Sequence, residues 1–165
     1  MRSGVRLGID VGKARIGVAR SDLHGMLATP VETVARAADG DADLERIAEL
    51  VAELAAFEVI VGLPLNMRGE RTLSTDDAVA FAERLALRLG AVDVPVRLVD
   101  ERLSTVSAQG QLRQAGKKTK QSRSIIDQAA AVVILQHALD TERAQGTAPG
   151  SPVEVAGANA KELDG

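Results

Sequence analysis

Three carboxylates lie at positions where an acid is either costly or well aimed. Asp10 sits inside the apolar run Val5 to Val11 (VRLGIDV). Alternation along a strand puts Leu7, Ile9 and Val11 on one face and Gly8, Asp10 and Gly12 on the other. An acid with a glycine on each side along its own face leaves room for a ligand or metal to approach. An unpartnered buried carboxylate is costly, so the competing reading is a salt bridge to Lys13 or Arg15, or a strand residue facing solvent. Asp100 and Glu101 follow directly on the strand-like run Val94 to Val99 (VPVRLV), where α/β proteins place active-site groups. They must point to opposite faces, so at most one can join Asp10; alternatively both are loop residues, one of them paired with Arg102. Asp127 precedes Ala130, Ala131, Ile134 and Leu135 by three, four, seven and eight residues, which puts it on a helix's apolar stripe. The alternative is a capping box, Ser124-Ile125-Ile126-Asp127, with Asp127 bonding back to the helix start.

Carboxylates drawn from a first strand, a later strand end and a helix start would make an oxygen-only ligand set, which suits Mg²⁺ or Mn²⁺. One or two such ions can activate water and stabilise the leaving oxygen of a phosphodiester. Other chemistries are disfavoured. The chain has no Cys and only His24 and His137, which excludes disulfides, thiolate zinc sites and a His-rich metal site. Neither His lies at a strand end, so Ser-His-Asp hydrolysis is disfavoured too. No Walker-type phosphate loop and no GxGxxG is present.

The elements that must position these acids can be read from periodicity. Val5–Val11, Ala14–Ala19 and Leu27–Val34 read as strands, the first two joined at Gly12-Lys13. Asp41–Ala56 carries Leu44, Ile47, Ala48, Val51 and Leu54 at helical spacing. Glu58–Leu63 is a strand apolar enough for burial on both faces, stopped by Pro64. Ser74 is expected to cap a helix that ends near Leu89, before Gly90. After the strand Val94–Val99, a short helix is expected over Ser104–Ala115, then a basic loop Lys117–Arg123 and a last helix Ser124–Thr141. The order β-β-β-α-β-α-β-α-α predicts an α/β fold: a mixed central sheet with helices on both faces. Residues 1–142 form one domain, and 143–165, rich in Gly, Ala and Pro, read as a flexible tail.

The 165 residues carry a net charge of −3, but the charge is uneven. Glu32 to Glu58 holds eight acids and two bases, whereas Arg102 to Arg123 holds six bases and no acid. A local basic patch can bind nucleic acid whatever the overall charge; the plain alternative is a solvated loop. With Phe57 and Phe81 as the only aromatics, base stacking has few platforms, so readout through backbone and shape is favoured. No stretch nears the roughly 18 apolar residues of a membrane span, and no signal peptide is evident. The expectation is a soluble, cytoplasmic protein without a membrane partner.

The same residues resemble a known family. Gly8-Ile9-Asp10-Val11-Gly12 with Arg15-Ile16-Gly17-Val18-Ala19 looks like the opening of the YqgF/RuvX family. Val61-Gly62-Leu63-Pro64 with Gly69, Val99 through Thr105, and Ile126 through Ala131 with Ile134-Leu135 match its later blocks in order, over roughly residues 4–140. The family is RNase H-like, related to Holliday-junction resolvases and associated with pre-16S rRNA cleavage. The resemblance implies a divalent-metal nuclease with Asp10, Glu101 and Asp127 as its acidic trio, and Asn66 and Arg102 as polar neighbours. Resolvases use four acids; Asp100 could be a fourth only if its strand bulges. In this reading Lys13, Arg15, Lys117, Lys118, Lys120 and Arg123 hold the phosphate backbone of structured RNA, a pre-rRNA. The alternatives are a resolvase acting on branched DNA, for which the sequence shows no two-fold interface, and a non-catalytic nucleic-acid-binding or transcription-associated module.

Overall fold

The computed structural model describes residues 1–101 and 122–154. The chain opens with an antiparallel ribbon: β1 (Val5–Val11), β2 (Arg15–Ser21) and β3 (Ala28–Ala35). Helix α1 (Ala42–Glu53) leads to β4 (Ala56–Leu63), and α2 (Leu73–Leu89) leads to β5 (Val96–Asp100). A 3-10 turn (Gly90–Val92) follows α2, and the long helix α3 (Ser122–Gln145) and the two-residue strand β6 (Ser151–Pro152) complete the described elements. The sheet order is β3-β2-β1-β4-β5-β6, with β1, β4 and β5 parallel and the other pairings antiparallel. This is the mixed sheet that the periodicity predicts.

Alternation sorts the strand residues into two cores. Leu7, Ile9, Ile16, Val18, Val59 and Val61 face α1 and α2, where they meet Ile47, Leu50, Phe81 and Leu85. Ala19, Ile60 and Val99 face α3, against Ala131, Ile134, Leu135 and Leu139. The α3 side is built of small strand residues, and this lets the helix lie close. A Cβ on Gly8 would stand 2.6 Å from Leu135 Cβ, and a Cβ on Gly17 would overlap the Asp127 carbonyl. Polar clips fix the helix along its length: Gln128 Nε2 donates to Thr33 Oγ1 at 3.0 Å, and Gln136 Oε1 accepts from the Ala28 amide at 2.9 Å.

Three boundaries of α2 and α3 differ from the sequence reading; other ends shift by up to three residues, as where α1 stops at Glu53 rather than Ala56 and β4 starts at Ala56 rather than Glu58. Helix α2 is capped by Thr72, not Ser74: Thr72 and Thr75 exchange side-chain and backbone bonds in a reciprocal box, and Thr75 Oγ1 also donates to the Pro64 carbonyl. This second anchor fixes Thr75 and with it the helix start. Helix α3 begins at Ser122, so Asp127 is its sixth residue and lies too far in for a capping box. It ends at Gln145, four residues beyond the expected Thr141; Ser151–Pro152 then pair with Arg97 and Leu98 along the edge of β5. Arg97 secures this strap by donating from Nε to the Pro149 carbonyl at 2.6 Å. The expected helix Ser104–Ala115, with Arg102, Lys117, Lys118 and Lys120, lies outside the described residues, as does 155–165.

Candidate active site

The carboxyl ends of β1, β4 and β5 lie side by side at one edge of the sheet, and α3 starts over that edge. Asp10 is on the α3 face of β1, opposite Gly17 of β2 in the ladder. Gly17 is the residue on which the Asp127 backbone rests, so the helix carries Asp127 to Asp10. The β4–β5 ladder runs without a register shift from Val59↔Val96 to Leu63↔Asp100. Val99 therefore shares the α3 face with Gly62, and Glu101, two residues on, returns to it. A Cβ on Gly62 would overlap Glu101 Oε2, so the Glu101 carboxylate fills the space that this glycine leaves. Asp100 points the other way. The unshifted ladder removes the bulge that would be needed to add it as a fourth acid.

The electrostatics are uneven. Asp10 is pushed up to about 6 from an ordinary 3.8, first by burial and then by the neighbouring charge of Asp127. Neither Lys13 nor Arg15 pairs with it; Arg15 instead donates from Nε to Asp127 Oδ2 at 2.8 Å. Lys13 stands exposed in the turn between β1 and β2. Asn66 leaves the end of β4 and shapes its own loop: Oδ1 accepts from the Arg68 and Glu70 amides, both at 2.9 Å, and Nδ2 donates to Glu70 Oε1 at 3.0 Å. Arg123 is the second residue of α3.

Arg36 is a neighbour that residue type and spacing did not single out. Its guanidinium donates to the Gly12 carbonyl at 2.8 Å and grips Asp77 of α2 at 2.9 and 3.0 Å, and it lies 5.4 Å from the Phe81 ring centre. It therefore braces the turn after Asp10 from the opposite face. Its only sequence signal was that it is one of two bases in an acid-rich stretch.

Among the described residues no three acids or histidines form a ready-made metal cage. In donor chemistry and charge, however, the site fits a hard divalent cation. Its donors are all carboxylate oxygens, and Asp10 is a largely buried acid that feels the charge of a second acid, Asp127. A cation between the two would replace that repulsion with attraction.

Comparison with known proteins agrees with this architecture. The RuvX family profile, described as Holliday junction resolvase, matches residues 4–141. A protein of Leifsonia xyli named "Putative pre-16S rRNA nuclease" is 66% identical over 154 residues, covering 93% of this chain and 97% of its own. A protein of the same name from Thermobifida fusca is 54% identical over 161 residues, covering 93% and 98%. Among solved structures, Thermus thermophilus RuvC in complex with a Holliday junction substrate superposes with a TM-score of 0.56 at 19% identity, over 90% of this chain and 99% of that one. That likeness is one of fold, and the fold is RNase H-like.

Proposed function

The chain belongs to the RuvX family, and on that premise we propose that it is a divalent-metal-dependent nuclease that hydrolyses phosphodiester bonds of structured RNA. The 5′ end of pre-16S rRNA is its target. The observation that carries this reading is Asp10: a largely buried acid beside Asp127, at the sheet edge that Glu101 also reaches. High identity to relatives named for pre-16S rRNA cleavage supports the substrate.

Asp10, Glu101 and Asp127 would hold the cation, Mg²⁺ or Mn²⁺. When bound, a divalent cation supplies an activated water and a counter-charge for the leaving oxygen. The protein's own contribution is to position and to exclude. Asp10 is paired through its backbone with Gly17 of β2, and burial of its side chain limits how far the carboxylate can move. Gly62 leaves room for Glu101 to lie flat against the sheet. Lys13 presents positive charge at the mouth, where a phosphate backbone would enter, and Arg15 stands beside it in its pair with Asp127. An rRNA task would place the protein in the cytoplasm, and no helix among the described residues is long and apolar enough to cross a membrane.

The test is cleavage of end-labelled pre-rRNA and of a four-way DNA junction, with Mg²⁺ or Mn²⁺, by wild type and Asp10→Asn purified in parallel. Cleavage of the RNA by wild type alone is expected, with a loss of at least about a hundredfold in the variant. Paired symmetric cuts confined to the junction would reassign the substrate to branched DNA. Efficient cleavage in excess chelator would overturn the metal mechanism.

A further inference from the structure

The residue that engages Asp127 is a cation belonging to the protein itself. Arg15 is the first residue of β2, two before Gly17, and so lies on the α3 face. From there its Nε reaches Asp127 Oδ2 at 2.8 Å, with the Arg15 side chain 37% exposed and that of Asp127 19% exposed. Among the described residues no cation makes such a contact with Asp10. Arg15 thus neutralises one member of a repelling pair and leaves the other unneutralised.

We propose that Arg15 is an exchangeable counter-ion: it holds Asp127 while the carboxylates lack a divalent cation, and is displaced toward the phosphate backbone of the nucleic acid when the cation binds. This rests on the nuclease reading and deepens it by linking the cation and substrate sites. The exchange follows from charge balance. A divalent cation shared by Asp10 and Asp127 supplies the positive charge that Arg15 supplies to Asp127 alone. Arg15 is then a surplus cation at the mouth of the site, on a long and partly exposed side chain, and a phosphate oxygen is the group that best satisfies its planar donor fork. Cation and nucleic acid should therefore bind cooperatively, and by linkage each should tighten the other by the same factor.

Two measurements test this, and neither depends on turnover. In the first, Mn²⁺ binding is titrated without nucleic acid. Arg15→Gln removes the competing cation and should bind Mn²⁺ several-fold more tightly than wild type, while Arg15→Lys, which keeps the charge, should stay near wild type. Weaker Mn²⁺ binding by Arg15→Gln would show that Arg15 merely orients Asp127, and would overturn the exchange. In the second, anisotropy of a labelled RNA hairpin is followed in chelator and in Ca²⁺, which binds similar oxygens in a looser geometry. Arg15→Gln should leave affinity within about twofold of wild type in chelator and weaken it about tenfold in Ca²⁺, the scale of one lost charge-assisted contact. An equal loss in both conditions would make Arg15 a constant phosphate contact and sink the proposal. If wild type binds neither the hairpin nor a DNA junction in either condition, the nuclease reading itself fails, whereas the Mn²⁺ titration still judges the Arg15–Asp127 competition separately.

Discussion

At the scale of single residues, Asp10 stores a penalty that depends on pH. Its native carboxyl keeps a proton up to about 6, whereas the unfolded chain releases it near 3.8. Between those values the native state binds more protons than the unfolded one, so stability falls as pH rises and levels off above about pH 6. The full penalty is about 2–3 kcal/mol. Asp10→Asn removes it. In chelator at pH 7.5, the variant should resist urea more than wild type by about that amount, and the gap should close as pH is lowered toward 4. A divalent cation should then stabilise wild type and leave Asp10→Asn nearly unchanged, because binding to the native state alone raises stability by mass action. Urea curves that run parallel at both pH values would mean Asp10 is better solvated than its place in β1 implies. The buried acid was legible in the sequence, since a carboxylate between two glycines in an apolar strand has few uses. The partner of Asp127 was not. Arg15 competed with Lys13 as a partner for Asp10, and only the position of α3 decides that it serves the helix residue.

At the scale of elements, the decisive contact is α3 lying against the glycines of the sheet. Strand and helix periodicity predicted nearly every described element, because each carries its own apolar face: β4 on both sides, α1 through Leu44, Ile47 and Val51. Strand β6 escaped prediction because two residues have no period. Its pairing depends instead on the exposed edge of β5, a tertiary fact. The Thr72 cap was missed because Ser74, two residues on, offers the same local chemistry, and the Pro64 carbonyl that favours Thr75 is distant in sequence. The close approach at Gly17 gives a direct test. Gly17→Ala would drive a methyl into the Asp127 carbonyl and should force α3 off β2, losing about 1–3 kcal/mol. Cleavage should fall further than stability, because Asp127 moves with the helix. Gly90→Ala is the control: nothing lies within 4 Å of its added Cβ and its φ is −58. It should leave melting unchanged or slightly raised and cleavage intact. If both alanine variants melt alike, the small residues of the α3 face are not what sets the helix position.

For the whole molecule, α3 is held at its two ends by opposite arrangements of charge. Its beginning lies over repelling acids; its end is locked into a closed ion cluster about 22 Å away, the length of the 15 residues between Asp127 and Glu142. There Arg2 bonds both Glu58 and Glu142, at 2.9 and 2.8 Å, and the fully buried Arg6 reaches Glu142 at 3.3 Å. Both guanidiniums lie over the Phe57 ring, at 5.0 and 4.7 Å from its centre. The Arg2 hydrogen bonds hold Glu142 down to about 2, from an ordinary 4.5. A depressed carboxyl has the opposite sign from Asp10: its contribution is present above about pH 4.5 and is lost as pH falls toward 2. Glu142→Gln should therefore lower stability at pH 7 by about 3 kcal/mol, mostly because Arg6 remains buried without its charge partner. Cleavage per folded molecule should not change, since the proposed site at Asp10 and Asp127 lies at the far end of the helix. Replacing the pair together, Arg6→Met with Glu142→Leu, should recover most of the loss, because a buried ion pair exchanged for packed apolar groups is often neutral. Urea midpoints for the single and double variants decide the matter. A double variant no better than Glu142→Gln would mean that the cluster stabilises the fold through its hydrogen bonds to the Gly4 and Arg2 carbonyls, which methionine cannot make, rather than through the charge pair.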